Sequence, residues 1–214
     1  MIKGLLDELP QVQRLALAYA PRYAQRTTLA LLALDARLAA VLRHGREPVL
    51  AQMRFAWWRD LFAGDRAAWP RGDAVVHLLQ EWRDPAALVS LVDGWEGLLA
   101  EALDRPVIDA FAAGRVQAIN QLASEIGVAA PTADACGMCW ALGDLAAHVE
   151  KSEERAAVLD AAEGLEACPR LPRPLRPIQV LAALARRSLR RGGTPLLDGP
   201  HAALLAMRVG ITGR

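Results

Sequence analysis

Across residues 29–62 the chain carries two helical patterns separated by one short polar break. In the first, Leu31, Leu34, Leu38, Val41 and Leu42 recur at the three- and four-residue spacing of one helix face. Ala33, Ala36, Ala39 and Ala40 fill the positions between them, which predicts a helix buried on nearly every side. The break is His44-Gly45-Arg46-Glu47-Pro48, where Gly45 suits the residue just past a helix end and Pro48 the first turn of the next. After it, Met53, Trp57 and Leu61 form one row, and Phe55, Trp58 and Phe62 form another. Two aromatic-bearing rows predict a second helix with partners on two sides.

The same period runs through the rest of the chain, and no window sustains two-residue alternation. Pro10, Pro21, Pro48, Pro70, Pro85, Pro106, Pro131 and Pro172 punctuate it at intervals that suit helical hairpins. Asp73, Asp84-Pro85 and Pro131-Thr132 are predicted helix starts, because an aspartate or threonine accepts free backbone amides and proline fits the first turn. Gly64, Gly127 and Gly192 are predicted stops. Gly114 fits either a stop or a close approach of two backbones inside a helix. The proline-rich run over residues 168–177 excludes a helix until its end and predicts an extended connector. The expectation is an all-α fold with residues 1–214 in a single domain.

Composition narrows the setting. With 214 residues, a formal net charge of +1 and 53% hydrophobic residues, the chain has the material for a sizeable core. It lacks the strongly basic balance that a nucleic-acid partner calls for. The beginning, Met1-Ile2-Lys3-Gly4, does not read as a secretory leader, and no run reaches the roughly 18 apolar residues of a membrane span. Cys136, Cys139 and Cys168 make no even disulfide framework, so a reducing, cytoplasmic setting is expected. Arg186, Arg187, Arg190 and Arg191 close a helix at the negative end of its dipole. Peripheral contact of that cluster with acidic lipid stays open as an alternative.

Four groups of side chains carry candidate chemistry. Asp35 is an acid within an apolar helix, suited either to ligand binding or to marking the helix's wet edge or pairing with Arg37 or a neighbouring helix. Asp144 and His148 lie four apart and share a helix face, as a hydrogen-bonded pair or part of a binding site. Cys136 and Cys139 have the spacing of redox and zinc pairs. With no second pair and no strand-helix-strand context, they read as small buried side chains. Trp69, beside Pro70 and Arg71, stands apart from the other tryptophans, which are expected in the core. Phosphate-binding glycine loops, nucleophile elbows and zinc-protease helices are absent from the sequence.

A family resemblance joins several of these segments. Leu17-Ala18-Tyr19-Ala20-Pro21, Arg26, Ala33-Leu34-Asp35-Ala36-Arg37-Leu38-Ala39, Glu47-Pro48 and Met53-Arg54-Phe55-Ala56-Trp57-Trp58-Arg59 resemble the amino-terminal part of the squalene/phytoene synthase family. Leu91-Val92-Asp93-Gly94-Trp95 and residues 122–149 resemble its middle, and residues 171–187 its end. The resemblance implies an isoprenoid (terpenoid) synthase-like helical bundle. In that family, two prenyl diphosphates are joined head to head on magnesium held by two aspartate-rich motifs. This chain departs from it at both motifs, with Ala39, Ala40 and Arg43 at the first and Ala147, His148 and Ser152 at the second. Magnesium binding to diphosphate needs converging carboxylates, and alanine supplies none. The short span between Val149 and Leu171 also leaves little room for a second acidic helix and a following flap.

Three functional readings follow. The first is a degenerate member that keeps the bundle and its apolar cavity, without cofactor or bound metal, and acts as an isoprenoid- or lipid-binding protein or an assembly factor of the respiratory-complex type. Its substrate-binding residues would be Asp35, Asp144, His148 and Arg26. The second is an active prenyl transferase using Mg2+ on displaced carboxylates such as Asp35, Asp144, Glu150 and Glu153. The third is a helical interaction module with a protein partner.

Overall fold

The alanine-rich pattern folds as the longest helix in a computed structural model that describes residues 2–44, 47–129 and 133–214. Two short helices, α1 (Ile2–Glu8) and α2 (Gln11–Leu17), precede it. The helix itself, α3 (Arg22–His44), is buried at every residue from 28 to 36, because its small alanines let neighbours approach on all sides. Next comes α4 (Pro48–Ala63), with Pro48 in its first turn as expected. The predicted stop at Gly45 and the predicted start at Pro131-Thr132 lie outside the described residues.

The short α5 (Ala74–Leu79) starts on Asp73, whose carboxylate accepts from the backbone N–H groups of Val75 at 2.8 Å and Val76 at 3.0 Å. A 3-10 turn, Pro85–Leu88, leads into α6 (Val89–Gly97). Its packing partner α7 (Arg105–Ile126) is capped by Asp104 and ends on left-handed Gly127. The remaining helices are α8 (Ala133–His148), α9 (Ser152–Ala161), α10 (Arg176–Leu189) and α11 (Gly199–Thr212). The described residues contain eleven α-helices and no strand, so the all-α expectation stands. Among them no helix is long and apolar enough to cross a membrane.

Two glycines set the closest helix contacts. Gly114 lies inside α7, where a side chain would overlap the Ser90 carbonyl at the start of α6, so it marks a backbone approach and not a stop. A Cβ on Gly143 would fall 2.6 Å from the Ala185 Cβ and 2.7 Å from its carbonyl oxygen, which seats α8 directly on α10. The residue after Gly143 is Asp144, so this close contact also fixes where that carboxylate stands.

Two expectations are corrected. One row of α4, Phe55, Trp58 and Phe62, is buried throughout, whereas the other is covered only at Leu61, with Met53 63% and Trp57 43% exposed. The helix packs on α6, α3 and the Pro85–Leu88 turn, which leaves Met53 and Trp57 of the outer row open. Conversely, Trp69 is 4% exposed and packs edge-on against Phe62, with ring centroids 6.1 Å apart. Proximity to proline and arginine marked a loop in the sequence, and the ring turns inward from that loop because Phe62 offers it an apolar partner.

Candidate functional site

Asp35 projects from the middle of α3 into the bundle and is 2% exposed. A carboxylate there costs several kcal/mol in lost hydration unless donors surround it. Three helices supply them. Gln13 Nε2 of α2 donates to Oδ2 at 3.0 Å, and the Trp95 indole N–H of α6 donates to Oδ1 at 2.9 Å. Arg115 of α7 donates from Nε to Oδ1 at 3.2 Å, and from Nη2 to Oδ1 at 2.9 Å and Oδ2 at 3.0 Å. Both oxygens thus face N–H groups, and a proton on either would meet a donor head-on. Of the pairings open to it, Asp35 makes the one with a neighbouring helix, away from any wet edge, while Arg37 bonds Asp73 and Glu8.

Arg115 is itself 1% exposed, and its remaining reach goes to a second carboxylate: Nη1 donates to Asp144 Oδ2 of α8 at 2.9 Å. The guanidinium carbon lies 4.3 Å from the Trp140 ring centroid, 4.9 Å from that of Phe111 and 5.3 Å from that of Trp95. These faces stabilise a cation away from water. Burial works against the Arg115 charge, but the Asp35 and Asp144 carboxylates outweigh it and hold the group above its ordinary value. For Asp35, burial pushes the carboxyl above its ordinary range, opposed by the Arg115 charge and reinforced by Asp144.

Asp144 is less enclosed, with 15% of its side chain exposed. His148, one turn on, brings Nδ1 to 2.7 Å from the Asp144 carbonyl oxygen and 3.5 Å from Oδ1. A carbonyl only accepts, so Nδ1 carries the proton in this geometry, and Nε2 of the neutral ring is an acceptor.

These groups form the polar floor of a cleft of about 820 Å³. Its walls are apolar and include Ala36, Leu42, Leu98, Leu103, Leu145 and Leu197. Such a volume lies near the upper end of small-molecule sites. Asp35, Asp144 and His148 therefore line one cleft, while Arg26 stands elsewhere, paired with Glu81 and outside the lining. Of the positions where the resemblance expects acidic motifs, Ala39, Arg43, Ala147 and His148 all line the cleft. Glu150 and Glu154 sit in its lining too, Glu154 held by Lys151 at 2.7 Å, whereas Glu153 does not. Among the described residues no group of three or more His, Cys, Asp or Glu side chains converges in a way that could hold a metal ion.

Sequence reasoning missed Arg115, Gln13 and Trp95 as members of this site. Arg115 carried a signal: it stands four residues after Phe111 and four before Ile119, a charge on the buried row of α7. The thiol expectation holds. Cys136 and Cys139 are free and buried on α8, their thiols donating to the carbonyls of Pro169 at 3.8 Å and Ala182 at 3.4 Å, and Cys168 of the connector donates to the Ala135 carbonyl at 3.7 Å.

No protein-family model, curated protein or solved structure matches the chain.

Proposed function

We propose that this chain is a squalene/phytoene synthase-like bundle that binds an elongated apolar ligand in its interior cleft and does not carry out metal-dependent prenyl transfer. It would serve as a binding or assembly protein. One observation carries the reading: the Arg115 guanidinium lies between Asp35 and Asp144, where a metal-using relative would need room for bridging ions. A guanidinium so placed supplies the counter-charge to both carboxylates in place of a divalent ion. The placement of Ala39 and Ala147 on the cleft wall supports the same view, since the positions expected to carry acids face the ligand space without them.

The walls explain why an apolar ligand is the natural guest. Burying a long hydrocarbon against leucine and alanine gains roughly 25 cal/mol per Å² of apolar surface, and the cleft presents few polar groups besides its floor and mouth. Native mass spectrometry and organic extraction of the purified protein test this. The expected result is a stoichiometric isoprenoid or other lipid. Protein that purifies empty and takes up no prenyl alcohol would overturn it.

A second reading, a helical interaction module, draws on the outer row of α4, where Val49, Met53 and Trp57 are 63%, 63% and 43% exposed. It predicts a partner that covers those three side chains and no bound lipid.

A further inference from the structure

Resting on the apolar-ligand reading, we infer that the cleft selects a ligand whose polar head donates hydrogen bonds and carries no negative charge, a hydroxyl or an ammonium group, in preference to a diphosphate. The inference comes from what the floor leaves unfilled. Asp35 is saturated by five N–H contacts and offers nothing further. Gln13 turns its Nε2 to that carboxylate, because its oxygen would face like partial charge there. Its Oε1 is left buried and without a partner on a side chain only 4% exposed. An unpaired buried acceptor costs roughly 1–3 kcal/mol, and a ligand donor would relieve it.

The other open groups are of the same kind. Asp144 receives one N–H from Arg115 and keeps unfilled lone pairs beside the cleft. His148 presents Nε2 as an acceptor when neutral. Gln13, Asp144 and His148 thus add three hydrogen-bond acceptors to the lining of one cleft, and an acceptor has no hydrogen to offer a phosphate oxygen.

Charge points the same way. The lining holds four carboxylates, Asp35, Asp144, Glu150 and Glu154, against the cations Arg43 and Lys151. With Arg115 behind the floor, one negative charge remains in excess. Lys151 is already taken by Glu154, so among the described residues Arg43 is the one lining cation outside an ion pair that could meet an anionic head. A diphosphate would bring its charge toward Asp144 in a partly dry site, where like charges repel strongly.

The test is equilibrium titration of the intact protein with three probes on one chain: farnesol, farnesylamine and farnesyl diphosphate, the last with and without Mg2+. Farnesol and farnesylamine are expected to bind at least about tenfold more tightly than the diphosphate. Asp144→Asn, which keeps the side-chain size, is expected to lower affinity for farnesylamine by about tenfold and to leave farnesol nearly unchanged. Equal or tighter binding of the diphosphate overturns the inference and leaves the apolar-ligand reading standing. Failure of all three probes to bind removes that reading and the inference together. Because the probe series needs no variant, the outcome does not depend on whether Asp144→Asn folds.

Discussion

Arg115 and Asp35 stand 80 residues apart in the chain, yet Nη2 of one lies 2.9 and 3.0 Å from the two oxygens of the other, both side chains being almost wholly buried. A bidentate pair of this kind holds α3 against α7 at a fixed register, and Asp144 extends it to α8.

Removing the cation should expose that dependence. Arg115→Met leaves the buried Asp35 and the partly exposed Asp144 without this counter-charge, and a loss of about 3–5 kcal/mol in unfolding free energy is expected. Adding Asp35→Leu to the same protein should recover part of the loss, since an apolar pair in place of a broken ion pair is close to neutral. Urea denaturation of the wild type, both single variants and the double variant measures this. Strictly additive losses would show that the two side chains do not act as a pair.

Asp73 makes a separate, pH-dependent contribution. Burial works against its charge, but the Val76 N–H, the Arg37 guanidinium and the Val75 N–H together hold the carboxyl below its ordinary value of 3.8. A carboxyl depressed in the folded state stabilises the fold above the unfolded value, and that stability disappears as pH falls through the lower folded value. Asp73→Ala should therefore cost about 1 kcal/mol at neutral pH, mostly through the helix cap, because the Arg37 pair is partly screened by water. The gap between the two proteins in thermal melts should close well below pH 3.8. A gap that persists unchanged in acid would rule out the charged cap as its source.

Among the three thiols, Cys168 should be the reactive one. The neighbouring Cys136 and Cys139 thiols and the Arg186 charge pull it down to about 3 against its burial, while those two thiols are pushed up. Treatment with iodoacetamide near pH 6 is expected to modify Cys168 alone in the folded protein, and Arg186→Ala should slow that reaction. Peptide mass mapping reads the sites. Equal labelling of all three cysteines would contradict a selectively lowered Cys168.

How far the fold was legible in the sequence differs from element to element. The burial of α3 could be read because small alanines at every gap leave no side that must face water. The Asp144–His148 pair could be read because its partners are one turn apart. Arg115 was not recognised, since its meaning depends on Asp35 and Asp144, which lie 80 and 29 residues away. The outer row of α4 misled for a related reason. Periodicity reports that Met53 and Trp57 share a face, and says nothing about which neighbour, if any, covers it.

The central claim is that the floor of the cleft is an arginine-bridged pair of carboxylates serving an apolar guest, and not a seat for magnesium and diphosphate. The most direct measurement is release of inorganic pyrophosphate when purified protein is incubated with farnesyl or geranylgeranyl diphosphate and Mg2+. No release above that of heat-denatured protein is predicted. Sustained Mg2+-dependent turnover that Asp144→Ala abolishes would contradict the account.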